Sequence, residues 1–392
     1  MAPDNDRRGK APFLPFARPQ LDADEIEAAV AVLRSGWIAS GPRVEAFEAA
    51  LSEYLGGRTV LAFTSATAAL EVALQIAGIG PGHEVIVPAM TFAATANVVL
   101  RVGARPVFVD VELESRNIDL DQLEAALTPR TRAIMPVHFA GHPVNMEALY
   151  ASARRHGVRV IEDAAHAMGA RWRGERIGSI GDMVVFSFHP NKNMTTIEGG
   201  ALVLDQPEEV RQARRHRFHG IDRTADGEFD VWVPGGKYNL SDVAASIGLV
   251  QLARLDAFNA RRGALARQYL RQLRSDPPLL LPHPGDEGHS WHMFAPLLPL
   301  NRLSIGRTQF IRRMEERGIG VGVHFPALHQ LTLYRGLGYG AQRLPNAERI
   351  GRETITLPLF PAMAEGDVAR VCDAAREVIG VAAAGRSGRD QP

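Results

Sequence analysis

Two apolar runs in this chain each end in residues that could do chemistry together. Val158–Ile161 leads into Glu162, Asp163 and His166, and Met183–Phe188 leads through Ser187 to His189 and Lys192. Both runs read as strands. Strands of a parallel sheet point their carboxyl ends to one edge, where α/β proteins bind ligands. An aspartate and a lysine from neighbouring strands would then face one crevice. That pair suits pyridoxal phosphate, whose aldehyde condenses with a lysine amine while a buried carboxylate keeps the pyridine nitrogen protonated. A buried Asp–Lys ion pair, or a lysine on a surface loop, is the other reading of the spacing. A second signal is Phe63-Thr64-Ser65-Ala66-Thr67-Ala68. Here a strand passes into a helix through small and hydroxylated residues. Free N–H groups at such a helix start, with the Ser65 or Thr67 hydroxyl, can bind phosphate, although a plain Ser/Thr cap has the same composition. Phe92 follows the strand EVIVP (84–88) and could stack on an aromatic ring or fill the core.

The elements that must position these residues alternate along the chain. Strands are expected at Thr59–Phe63, Glu84–Pro88, Pro106–Val109, Ala133–Val137, Val158–Ile161, Met183–Phe188 and Ala201–Leu204. Helices are expected near 67–76, 93–100, 120–127, 146–156, 207–217 and 241–273. Continuous apolar strands between amphipathic helices imply a mostly parallel sheet covered on both faces. Pro277, Pro278, Pro282 and Pro284 mark a change of pattern. Beyond them the order reads strand, helix, strand, loop, strand, helix, with strands at His292–Leu297, Gly320–Phe325 and Ile355–Leu357. The expected organisation is a disordered tail (1–12), a large domain (13–260), a smaller C-terminal α/β domain (261–385) and a short tail (386–392).

Composition narrows the function classes. The 392 residues carry 44 Lys plus Arg against 44 Asp plus Glu, so there is no basic excess for nucleic acid or an anionic membrane. A single cysteine, Cys372, excludes a disulfide framework, a cysteine zinc site and a protein-held iron–sulfur cluster. No His/Asp/Glu cluster has metal-ligand spacing, so no metal is expected. No apolar run reaches the roughly 20 residues that span a bilayer, and the polar start MAPDNDRRGKAPF has no signal-peptide core. A cytoplasmic protein is expected.

The blocks SGWIASGP (35–42), TSATAAL (64–70), GHEVIVPAMTFAATAN (82–97), IEDAAHAMGA (161–170), FSFHPNKNMTTIEGG (186–200), GKYNLSD (236–242) and HFPALH (324–329) resemble the DegT/DnrJ/StrS sugar aminotransferases. These are fold-type I pyridoxal-phosphate enzymes, with a large domain built on a mostly parallel, seven-stranded type of sheet. The resemblance implies that Lys192 binds the cofactor covalently and then carries protons, and that Asp163 pairs with the pyridine nitrogen. It further implies that His166 lies near the ring's phenolic oxygen and that Phe92 stacks on the ring. Ser65, Ala66, Thr67 and Ser187 would hold the phosphate. Asn239 would reach the phosphate in a neighbouring subunit, which implies a homodimer with shared active sites. Trp37, His189, Lys237, His324 and His329 are candidates for the sugar side. Trp37 could equally be core, and His324 and His329 could be satisfied loop histidines. Arg211–Arg217 reads as a solvated helix face, and Trp291 and Phe294 as core.

Further likeness in FLPFARP (13–19), HSWHMF (289–294), ERGIGVGVHF (316–325) and LPLFP (357–361) is to family members that aminate a UDP-linked 4-keto pentose with L-glutamate, releasing 2-oxoglutarate. The short stretch His219–Val233, Gly236 and Pro326 depart from those members and bear on the acceptor sugar. Related dehydratases are the competing enzyme class. One type replaces the lysine by histidine, and another needs an iron–sulfur cluster. Lys192 and the single cysteine argue against both. A non-catalytic regulator on the same fold is the remaining alternative.

Overall fold

The computed structural model describes residues 12–275, 277–285 and 288–387. Most of the two expected tails therefore lies outside the described residues. The centre is a seven-stranded sheet in the order β1-β9-β8-β5-β4-β2-β3. Its strands are β1 (Thr59–Phe63), β2 (Glu84–Pro88), β3 (Arg105–Val109), β4 (Thr131–Ile134), β5 (Arg159–Asp163), β8 (Met183–Ser187) and β9 (Gly200–Leu204), with the short pair β6 (Arg171–Trp172) and β7 (Glu175–Arg176) set apart. All neighbours pair parallel except β9, which runs antiparallel to both β1 and β8. Six carboxyl ends therefore share one edge, and β9 begins there.

Side chains of a strand alternate between faces, and each face has its own core. Leu61, Phe63, Ile161 and Val185 pack with helices α3 (Ala66–Ile76) and α4 (Ala93–Arg101). Val60, Ala62, Val160, Val184 and Phe186 pack on the other side with α2 (Pro42–Tyr54) and the helix Met146–His156. Helix α1 (Ala23–Ser35) lies on the long helix Asp242–Leu273. Each such buried Val, Leu, Ile or Phe contributes about 1.5–3 kcal/mol relative to an exposed one. A third core gathers Leu265–Leu273 of that long helix, Trp291, Phe294 and the final helix Asp367–Ser387.

The expected C-terminal strands do not form ladders. Residues 292–297, 320–325 and 355–357 meet only in isolated bridges, such as Phe294 with Leu357 and Gly322 with Thr356. Pro296 lies within the first of these runs and Pro358 directly follows the last, and both lack the N–H that a ladder needs. Pro136 likewise ends β4 at Ile134 rather than Val137.

Two buried aspartates tie distant segments together. Helix α2 begins with Pro42, and its free N–H groups are met from the long helix. Asp242 Oδ1 accepts from the backbone of Gly41 at 2.8 Å and Val44 at 3.0 Å, and Oδ2 accepts from Arg43 at 3.1 Å. Asp110, at the end of β3, accepts from the backbone of Asn346 at 2.9 Å and Ala347 at 2.7 Å, capping the helix Pro345–Glu353. Removing the Asp242 carboxylate strands three donors at a buried site. Asp242→Ala is expected to lower stability by about 2–3 kcal/mol, read as an earlier urea midpoint. An unshifted midpoint would show that water replaces the carboxylate.

Candidate active site

The shared strand edge opens into a cavity of about 370 Å³. Asp163, the last residue of β5, is 5% exposed and lines it. Thr95 of α4 donates its hydroxyl to Asp163 Oδ2 at 2.8 Å, and the Ala165 N–H donates to Oδ1 at 3.2 Å. Burial pushes the Asp163 carboxyl above its ordinary value, against these bonds and the attraction of Lys192 and His138. Lys192 follows β8 after a turn in which its N–H donates to the His189 carbonyl at 2.8 Å. Burial pulls its amine down to about 8, and attraction to Asp163 opposes that pull.

Glu162 does not join them. Consecutive strand residues face opposite ways, so Glu162 turns into the other core. There it accepts from Tyr150 Oη at 2.6 Å and pairs with His138 Nε2 at 2.9 Å. This buried pair supports β5 from behind.

His166 stands beside Asp163 and is 4% exposed. Its Nδ1 accepts the Ala140 N–H at 3.3 Å, so the ring proton belongs on Nε2. Burial holds His166 well below the ordinary histidine range, and Lys192 and His324 add to the effect. It stays neutral. His324 also lines the cavity. Burial takes it down to about 4, and its Nδ1 lies 2.8 Å from Thr356 Oγ1. Phe92 lines the cavity at the start of α4 with 58% exposure, too open for a core residue.

The floor at the other end is main chain. Ser65 caps α3 by accepting from the Ala68 N–H at 3.1 Å, which leaves the N–H groups of Ala66 and Thr67 at the helix start for an anion. Gly200 pairs with both Phe63 and Ser187. A Cβ there would lie 2.3 Å from the Ala66 nitrogen, so glycine lets β9 reach the helix start. Ser187 and Gly199 complete this end of the cavity.

A model of the DegT/DnrJ/EryC1/StrS aminotransferase family matches residues 19–376. The chain belongs to this family. It is a pyridoxal-phosphate-dependent sugar-aminotransferase family. The chain is similar to the pyridoxal-phosphate form of Spr1654 from Streptococcus pneumoniae, described as a sugar aminotransferase, at 32% identity and TM-score 0.89 over 94% of this chain and 99% of that one. It is 36% identical to DesV of S. venezuelae, with TM-score 0.86 and 94% and 98% covered. It is 29% identical to Helicobacter pylori PseC, an aminotransferase in pseudoaminic acid biosynthesis, with TM-score 0.89 and 94% and 100% covered.

This aminotransferase's cavity fits the family cofactor on chemical grounds. It offers one lysine of lowered pKa, one buried carboxylate and an N–H cradle that a single Cβ would fill. Among the described residues no group of three or more His, Cys, Asp or Glu could hold a metal ion, and no helix is long and apolar enough to cross a membrane.

The remaining candidates divide. His189 lines the cavity, with Nδ1 at 2.8 Å from Asn191 Oδ1. Trp37, Lys237, Asn239 and His329 are not among the residues lining it. Trp37 is 62% exposed, so it is not core. His329 is fully buried in the turn Leu328–Gln330, with Nε2 at 3.3 Å from Glu348 Oε1. That turn meets the helix Pro345–Glu353 through this contact. Asn239 pairs with Ser40 and Lys237 at the protein surface. Trp291 and Phe294 fill the third core. Residues that the sequence reading passed over are Thr95, Phe325 and His292. Thr95 lies four residues after Thr91, just beyond the start of α4, and the two hydroxyls are 3.0 Å apart.

Only the neutral amine of Lys192 attacks an aldehyde. With a pKa of about 8, the rate of cofactor capture by cofactor-free protein is expected to rise about tenfold per pH unit and level off near that pH. Rapid-mixing absorbance measures it. A rise that continues beyond about pH 9 would show the amine in an ordinary aqueous setting.

Proposed function

We propose that the protein transfers the amino group of L-glutamate to a nucleotide-linked keto sugar, giving 2-oxoglutarate and an amino sugar. The preferred acceptor is a UDP-linked 4-keto pentose, with a related 4-keto-6-deoxyhexose next. The observation that carries the reading is the convergence of Lys192, Asp163 and a main-chain phosphate cradle in one cavity of about 370 Å³. The acceptor rests on the likeness of FLPFARP, HSWHMF and ERGIGVGVHF to pentose-aminating members.

Pyridoxal phosphate, when bound, supplies an aldehyde for the amine and a ring that takes up the electron pair of the broken C–H bond. Lys192, the one lysine lining the cavity, would hold the cofactor through its amine. When not so engaged, that amine would take the proton from the donor Cα and return one to the acceptor carbon. A pKa near the working pH suits both transfers. Asp163, held by Thr95 and the Ala165 N–H, would accept from the pyridine nitrogen and stabilise its charge. His166 would offer its Nε2 proton to the phenolic oxygen. Ala66, Thr67 and Ser187 would bind the phosphate, and Phe92 would cover the ring. Asn239, outside its own chain's cavity, serves the phosphate of a partner in a homodimer, with Lys237 beside it. His189 and His324 face the substrate.

A related dehydratase is the second reading, and the intact Lys192 argues against it. Lys192, Asp163, Thr67 and Ser187, all lining one cavity, argue against a non-catalytic regulator.

The visible absorbance band of the purified protein is expected to disappear on addition of L-glutamate and return on addition of a UDP-linked 4-keto pentose. Lys192→Ala should keep its circular dichroism and lose the response. Asp163→Asn should slow the response by about a hundredfold or more. A band indifferent to glutamate overturns the donor. A band restored only by another nucleotide sugar replaces the acceptor.

A further inference from the structure

The joint that holds His166 is built from two halves of the chain. Ala140 lies in the left-handed region at φ 57°, an unfavourable setting for a residue with a Cβ. Its N–H donates to His166 Nδ1 at 3.3 Å, and its carbonyl accepts the His292 N–H at 2.9 Å. The Gly141 carbonyl accepts from the Ser290 N–H at 3.1 Å, and the Ser290 hydroxyl donates to the His166 carbonyl at 3.2 Å. A Cβ on Gly141 would lie 2.2 Å from Ser290 Oγ, so glycine allows this contact. The joint brings the His292 ring onto that of His166, with centroids 4.5 Å apart and planes 26° from parallel.

His292 is 5% exposed and lines the cavity, and its Nδ1 is buried without a hydrogen-bond partner among the described residues. Its ring is thus located by its backbone and its stacking. Arg262, on the long helix and 3% exposed, grips that backbone. Its Nη1 donates to the His292 carbonyl at 3.1 Å and to the Leu359 carbonyl at 2.8 Å. The groups facing His292 are His166, Lys192, Arg262 and His324, with Asp163, Glu198 and His189 on the same cavity wall. Burial and these four neighbours hold it well below the ordinary histidine range. A neutral ring of that kind is a poor proton donor or acceptor near neutral pH, but it stacks without repelling Lys192.

We propose that His292 is a positioning residue: its ring fixes the plane of His166, and Arg262 fixes His292 by holding its main chain. The inference rests on His166 facing the cofactor as assigned above. Removing the stacked ring lets His166 turn, and the Nε2 proton loses its aim.

Cofactor affinity, and the pH midpoint of the visible band, test this in the full-length protein reloaded with pyridoxal phosphate. His292→Ala and Arg262→Met are expected to weaken affinity about tenfold, the scale of one aromatic pair, and to move the midpoint by more than about half a pH unit. His292→Phe, which keeps a stacking ring, and Arg262→Lys, which keeps a donor, should recover most of the loss. His166→Phe is the reference. A weakened His166→Phe beside a His292→Ala with native affinity and midpoint overturns the positioning role alone. Native behaviour of His166→Phe overturns the placement of His166 and this inference with it. A folded His292→Phe as weak as His292→Ala shows that stacking is not what His292 supplies, and also overturns the proposal.

Discussion

The removal of one amine and one carboxylate from water, at the ends of two adjoining parallel strands, is the condition on which the site depends. Neither charge would be tolerated alone at such a depth. Lys192 responds by shifting its pKa down and Asp163 by shifting up. What keeps them there is the sheet, because β5 and β8 are joined in register from Ile161 with Met183 to Asp163 with Val185. A register slip of one residue would turn Asp163 into the rear core and bring Glu162 forward. The buried pair of Glu162 and His138 opposes that slip from the other face.

Around this pair, histidines are the commonest titratable groups on the cavity wall. His166, His292 and His324 are all kept neutral by the same burial that shifts the lysine. Each nonetheless has a defined orientation from a backbone or hydroxyl partner, or from stacking. The cavity thereby gains polar contacts without adding to the charge it must bury.

How much of this could be read in advance follows from how local the cause is. Glu84–Pro88 and Met146–His156 were delimited to the residue, because an apolar run or an amphipathic period is a local property. Asp163 and Lys192 were legible because strand ends and crevice chemistry go together. Glu162 was not separated from Asp163, because the choice of face depends on what packs behind the strand. The C-terminal strands became isolated bridges because prolines 296 and 358 withhold donors that an apolar pattern alone promises. Of the two histidines in HSWHMF, only the structure distinguishes His289, which stacks on Trp291, from His292, which faces the cavity. Nothing local marks that difference. Trp37 and His329 went the other way, one onto the surface and one into the core, for the same reason.

The end of the cavity at the start of α3 depends on an atom that is not there. Gly200 brings β9 against the start of α3 because no methyl group stands between them. The residues on either side of that contact are more than a hundred positions apart in the chain. Copying the pocket's side chains onto another scaffold would therefore leave out the part that closes it. The converse holds for inheritance. Side chains around the cavity can vary without touching that contact, while any side chain at this one position would push β9 away from the helix start and leave the titratable groups of the cavity as they are.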